Sequence, residues 1–229
     1  MITIASRLQA VRERIQAATA AAGRPPDAVR LIAVSKTFPA EVVREACQAG
    51  QHAFGENYLQ EATSKIEAVS DLPLEWHFIG PLQSNKTRPV AALFSWVHTV
   101  DRLKLAERLS AARPDALAPL QVCIQVNVSS EESKSGCRRE EAFELADAVA
   151  RLPRLRLRGL MTIPELTSDT ALQRQRFAAL RQLKDELVAR GLELDTLSMG
   201  MSDDLEAAIA EGATMVRIGR AIFGPRRPR

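Results

Sequence analysis

The sequence predicts a closed (β/α)8 barrel, and three observations carry that expectation. Eight short β-rich runs alternate along the chain with seven helical patterns. Helices placed between strands impose parallel pairing through right-handed crossovers, and eight such units in one chain favour closure over an open sheet. No GxGxxG follows the first strand, where a doubly wound dinucleotide fold would carry it.

Residues 3–22 come first, as an amphipathic helix with Ile4, Leu8, Val11 and Ile15 at the spacing of one face. Gly23 and the pair Pro25-Pro26 end it. The first strand is RLIAVSK (30–36), a run of buried-strand character that ends on Lys36 and is stopped by Pro39. PAEVVREACQAG then leads to HAFGEN (52–57), LQEATSKIEAVS to WHFIG (76–80), and NKTRPVAALF to WVHTVD (96–101). RLKLAERLSAA leads to QVCIQVN (121–127), REEAFELADAVARL to RLRGLMTI (156–163), and ALQRQRFAALRQLKDELVARG to LDTLSMG (194–200). SDDLEAAIAEG precedes the eighth strand, TMVRIG (214–219). The longest of these helices puts Phe177, Leu180, Leu183 and Leu187 on one face, and Gly50, Gly191 and Gly212 stand where helices close. No linker, low-complexity stretch or composition break interrupts the series. A single domain over 1–229 is expected, with 1–24 an additional helix packed on the barrel and 225–229 a basic tail.

Composition narrows the function classes. The net charge is only +3, and much of the excess sits in the terminal GPRRPR, a cluster expected to be solvated. Aromatics are 4% of the chain and form no stripe with basic residues, which argues against a nucleic-acid partner. The N-terminus has no apolar signal core, and no apolar run is long enough to span a membrane. Cys47, Cys123 and Cys137 are odd in number and lack a CxxC, so free thiols in a reducing cytoplasm are expected. His52, His77 and His98 lie far apart in sequence and are expected to be packed or partly exposed rather than metal ligands.

In such barrels the active site lies at the C-terminal ends of the strands. Lys36 ends the first; Asn57, the residues after Gly80, Asp101, Asn127, Thr162, Ser198 to Ser202, and Arg217 to Arg220 would be its neighbours. A lysine there can form a Schiff base when its amine is neutral, a state favoured by desolvation or by a nearby cation such as Arg217. The carbonyl could belong to a sugar phosphate, as in an aldolase, or to pyridoxal phosphate. Phosphate sites in barrels use the loops after strands seven and eight, which here read SMGMSDD and RIGRAIFG. The amides of Gly219 and Arg220 open a short helical turn, a ready anion site. Ser202 has two readings, a phosphate ligand or the N-cap of the following helix. Asp203 and Asp204 are expected to turn away from a dianion.

The ordered set AVSKT, FGENY, WHFIGPLQSNK, SKSG, RLRGLM, LSMGMSDD and VRIGRAIFG, spread over residues 30–225, resembles the pyridoxal phosphate homeostasis protein family. That family has a barrel similar to the N-terminal domain of alanine racemase. The resemblance implies that Lys36 carries pyridoxal 5'-phosphate as an internal aldimine and that Arg217 faces the pyridine nitrogen. It implies that Ser202, Gly219 and Arg220 hold the phosphate, with Ser198 as a further contact, and that Asn57 and Met161 line the ring pocket. Relatives often carry a small hydroxyl residue at the position of Arg220, so only its backbone amide carries over; the guanidinium either adds charge or points to solvent.

An arginine beside the pyridine nitrogen disfavours ring protonation and weakens the electron sink that carbanion chemistry needs. A racemase also needs a second base, which alanine racemases take as a tyrosine from a C-terminal domain of the other subunit. This chain has no room for that domain, and its one tyrosine, Tyr58, is expected to be a packed wall residue. The resemblance therefore implies a cytoplasmic, monomeric binding protein of vitamin B6 homeostasis that holds the cofactor without substantial turnover and hands it to apo-enzymes. A pyridoxal-phosphate-dependent amino-acid racemase is the alternative, and a Schiff-base aldolase a third. Lys134 in EESKSG is either a solvated loop lysine or a relay for moving cofactor off Lys36. The GPLQSNK loop meets a partner, closes the pocket, or caps the next helix through Ser84 or Asn85.

Overall fold

A computed structural model describes residues 3–129 and 135–225. Lys134 and the last four residues of the basic tail lie outside them. The strands are β1 (Arg30–Val34), β2 (Ala53–Glu56), β3 (Glu75–Phe78), β4 (Trp96–Val100), β5 (Leu120–Gln125), β6 (Leu155–Met161), β7 (Thr196–Ser198) and β8 (Met215–Ile218). The helices are α1 (Ile4–Ala21), α2 (Ala40–Gln48), α3 (Leu59–Ala68), α4 (Thr87–Leu93), α5 (Leu103–Ala112), α6 (Arg139–Ala150), α7 (Thr170–Ala189), α8 (Leu205–Ala210) and α9 (Arg220–Phe223).

Each strand pairs in parallel with the next, and β1 pairs with β8, so the sheet closes in sequence order. All eight expected strands are present. The register shifts twice, between Val97 and Val100 of β4 and, opposite Gly159, between Val122 and Cys123 of β5. There a Cβ on Gly159 would fall 1.8 Å from the Thr196 carbonyl oxygen, so β6 and β7 meet closely only because the side chain is absent.

Helix α1 starts on a capping box in which Thr3 Oγ1 accepts from the Ser6 amide and Ser6 Oγ from the Thr3 amide. Its buried face is Leu8, Val11, Ile15 and Thr19. It packs on α2, α8 and α9, across the seam where β8 meets β1. Arginines tie it down: Arg12 donates to the Ala49 and Gly50 carbonyls, Arg24 to that of Ile209, and Arg14 to that of Ser202. Helix α7 buries Phe177, Leu180, Leu183 and Leu187, as its spacing predicts. Each such side chain is worth about 1.5–3 kcal/mol of apolar transfer.

Apolar residues form two cores. The large one fills the space between strands and helices. The small one, inside the barrel, is Ile32, Ala53, Trp96, Cys123, Met161 and Met215. The remaining space inside is polar, and it leads to the site. Burial pushes the Cys123 and Cys137 thiols up to about 12, and all three cysteines are unpaired. Among the described residues no helix is long and apolar enough to cross a membrane, and no His/Cys/Asp/Glu cluster could hold a metal ion.

Candidate functional site

Two cavities stand at opposite ends of the barrel. The larger, about 740 Å3, lies at the strand starts beside Arg30, Glu75, Trp96, Arg158 and Asp195. Its arginines are mostly engaged: Arg30 pairs with Glu75 and Arg158 with Asp195. The smaller, about 560 Å3, lies at the strand ends and is lined by Lys36, Asn57, Ser202, Arg217, Gly219 and Arg220 among others. The reactive set is at this second mouth, so chemistry rather than size identifies the site.

Lys36 sits in a turn that is pinned on both sides. Ser35 Oγ donates to Glu56 Oε1 at 2.6 Å, and its carbonyl accepts from Lys65 Nζ at 2.8 Å. Lys65 also bonds Glu56 Oε1 at 2.5 Å and Glu61 Oε1 at 3.0 Å. Glu61 Oε1 in turn accepts from the Thr37 amide. Thr37 has φ +68°, a left-handed conformation that a threonine holds only when its surroundings impose it. Burial raises the Glu56 carboxyl above its usual range, partly opposed by the Lys65 ammonium. This buried pair fixes the turn that presents Lys36.

Asn57 lines the cavity, and its Oδ1 is buried without a protein partner. A buried acceptor in that state costs free energy until a ligand or water bonds it. Gly80 packs against the Asn57 backbone so tightly that a Cβ there would fall 2.1 Å from the Asn57 carbonyl oxygen.

Arg217 is 4% exposed and reaches the cavity from β8. Its Nη1 donates to Ser198 Oγ at 2.7 Å and its Nη2 to the Thr162 carbonyl at 2.9 Å. Burial pushes the guanidinium down to about 10, with Asp204 opposing, so it stays protonated at neutral pH.

The two loops expected to bind phosphate meet at the rim. Gly200 holds φ +96°, and a Cβ there would lie 2.6 Å from the Ala208 Cβ. The cap reading of Ser202 is corrected: Asp204 occupies the N-cap of α8, and its Oδ1 accepts from the Met201 amide at 2.6 Å. Ser202 is left lining the cavity. Asp204, as expected, is engaged by its own loop away from the cavity; Asp203, against expectation, stays on the cavity wall, its carboxylate paired with Arg220 Nη2 at 2.8 Å. The Arg220 side chain is thus at the cavity rim and mostly exposed, with its guanidinium shared with Asp203. The first amides of α9, which directly follows β8, have no intrahelical acceptor.

The structure brings Lys36, Asn57, Ser202, Arg217, Gly219 and Arg220 around one cavity. Ser198 and Met161 are fully buried and do not line it: Ser198 braces Arg217 and Met161 belongs to the inner apolar core. Asp101 pairs with Arg102, and Asn127 Oδ1 accepts from the Ser129 amide, both outside the cavity wall. Tyr58, expected to be packed, is 47% exposed, because it precedes the first turn of α3 rather than the strand face. Sequence reading missed Lys65 and Glu56. One signal was there, since Lys65 falls three residues after Ala62 on the buried face of its helix, where a lysine needs a partner.

The family model for the alanine racemase N-terminal domain matches residues 6–227. The pyridoxal phosphate homeostasis protein of Pseudomonas aeruginosa is 63% identical over 226 residues, covering 99% of this chain and 97% of that protein. The solved structure of PipY from Synechococcus elongatus with PLP bound superposes with a TM-score of 0.85 at 39% identity, covering 97% of this chain and all of that one. Alanine racemase of Corynebacterium glutamicum shares the fold at 19% identity and a TM-score of 0.72; the match covers 95% of this chain and 62% of the racemase.

Proposed function

This chain belongs to the pyridoxal phosphate homeostasis proteins, within the alanine racemase N-terminal domain family, and from that premise we propose that it binds pyridoxal 5'-phosphate at the strand-end mouth and holds it on Lys36 without substantial turnover. One observation carries the reading: Lys36, Arg217, Ser202 and the Gly219 turn converge on a single cavity of about 560 Å3.

The residues present fit that ligand. A dianionic phosphate suits the first amides of α9 together with Ser202, in a cavity that Lys36, Arg217 and Arg220 make cationic on balance against Asp203. The orphaned Asn57 Oδ1 offers an acceptor. When bound, the cofactor supplies an aldehyde that an amine can hold covalently and a ring that can draw electrons from it.

The protein's own groups favour holding over turnover. A protonated Arg217 can only donate, so it keeps the pyridine nitrogen unprotonated and the ring a weak electron sink. Tyr58, half exposed before α3, is not among the residues that line the cavity, which leaves no tyrosine there to serve as a second base. The Lys65–Glu56 pair holds the Lys36 turn rigid without touching a substrate.

The test is to load the protein with pyridoxal phosphate, reduce with borohydride, and map the modified peptide. A pyridoxyl group on Lys36, absent from Lys36→Ala, is expected, with no interconversion of amino-acid enantiomers. A colourless protein that cannot be loaded, or turnover at racemase rates, would sink this reading.

A further inference from the structure

A chain of hydrogen bonds crosses the barrel interior without belonging to the apolar core or lining the mouth until its last member. Glu75 Oε1 meets His77 Nε2 at 2.7 Å, and His77 Nδ1 meets His98 Nε2 at 2.9 Å. His98 Nδ1 meets Ser198 Oγ at 2.7 Å, and Ser198 Oγ accepts from Arg217 Nη1 at 2.7 Å. His77, His98 and Ser198 have no exposure at all. Strands β4 and β7 are not neighbours, so the bond from His98 to Ser198 spans the lumen.

Donor and acceptor chemistry gives the chain one direction. Burial raises the Glu75 carboxyl, but the bonds to His77 and Arg30 more than offset this and hold it below the usual range. A carboxylate only accepts, so His77 donates from Nε2. Burial pushes both imidazoles down, so each carries a single ring proton. His77 Nδ1 therefore accepts from His98 Nε2–H, and His98 Nδ1 accepts from the Ser198 hydroxyl. The lone pairs of Ser198 are then left for the guanidinium. Each donor meets an acceptor from Arg217 at one end of the barrel to Glu75 at the other. Without His98 the serine hydroxyl could rotate its proton toward Arg217 and lose the bond.

We propose that His98 is a positioning residue: acting through Ser198, and oriented by His77 and Glu75, it fixes the Arg217 guanidinium at the mouth and with it the hydrogen bonding of a pyridine nitrogen held there. The final part of this rests on the pyridoxal phosphate reading; the fixing of Arg217 does not.

The experiment therefore starts with cofactor-free protein. Long-range 1H–15N spectra are expected to show His77 and His98 neutral with the proton on Nε2; a proton on Nδ1 of His98 overturns the proposal. Restricted, separately resolved Arg217 Nη signals are expected to merge in His98→Leu and stay resolved in His98→Asn, whose amide oxygen still accepts from Ser198. Unmoved Arg217 signals in His98→Leu overturn it as well. Should His98→Leu fail to fold, Ser198→Ala gives the same readout with the same two meanings. In protein loaded with pyridoxal phosphate, His98→Leu is expected to release the cofactor about tenfold faster, the scale of one hydrogen bond to a charged group. Its visible band should shift, and His98→Asn should recover both. Equal losses in the two variants with an unmoved band would mark mere packing and overturn the proposal. A wild-type protein that takes up no pyridoxal phosphate would sink the cofactor reading, while the cofactor-free spectra would still decide the role of His98.

Discussion

The two interiors of this barrel are built on opposite terms. Between strands and helices, burial is almost wholly apolar, and any residue of suitable volume on the right helical face contributes. Inside the barrel six buried apolar residues form a separate cluster, and beside them run bonded polar groups: Glu75, His77, His98, Ser198 and Arg217 along the lumen, and Glu56 with Lys65 under the Lys36 turn. The outer core gains from area removed from water. The polar groups of the inner one gain nothing from burial itself and cost stability wherever a donor or acceptor is left unpaired. That difference explains why the apolar layers hold the fold and the polar interior holds the site.

Four perturbations sharpen the contrast. Phe177→Ala in the outer core should have the largest effect on stability, about 4 kcal/mol in urea unfolding, while the borohydride-trapped yield on Lys36 in the folded fraction stays unchanged. Lys65→Met should cost about 3 kcal/mol at neutral pH, because it strands the buried Glu56 charge, and should also lower that yield by loosening the turn.

The pH dependence gives the second variant a signature that the first lacks. The folded Glu56 carboxyl lies above its usual value through burial, and removing Lys65 leaves that burial unopposed. A carboxyl raised in the folded state binds more protons there than in the unfolded chain, so stability falls as pH rises from the ordinary value through the folded one. The deficit of Lys65→Met should therefore shrink from about pH 8 to about pH 5, whereas that of Phe177→Ala should not. Equal deficits at both pH values would mean that Glu56 is not the stranded charge.

Gly80→Ala tests the seam between the two interiors. Its Cβ would collide with the Asn57 backbone, so a loss of about 2 kcal/mol should come with weakened cofactor binding. Arg220→Ser is expected to do least. Its guanidinium and Asp203 are each 65% exposed, so stability should move by less than about 0.5 kcal/mol. Affinity for pyridoxal phosphate should stay within about threefold; a larger fall in equilibrium titration would make the guanidinium a phosphate contact.

The sequence by itself determined the eight strand–helix units, the buried face of α7, the helix ends at Gly50, Gly191 and Gly212, and the placing of Lys36 and Arg217 at strand ends. These are local properties: apolar period, turn residues and the alternation of elements are written within about 20 residues of each other. It also pointed to the loops carrying Ser202 and Gly219, because glycine and small polar residues after a strand mark a backbone open to an anion. Only the tertiary structure decided that His77 and His98 bond each other, that Ser198 braces Arg217 instead of lining the cavity, that Met161 sits in the inner core, that Asp204 rather than Ser202 caps α8, and that Arg220 is taken by Asp203. Each of these depends on which residues face across a closed sheet or between neighbouring loops. Strand tilt and register set those pairings when the barrel closes, and no local period in the chain encodes them.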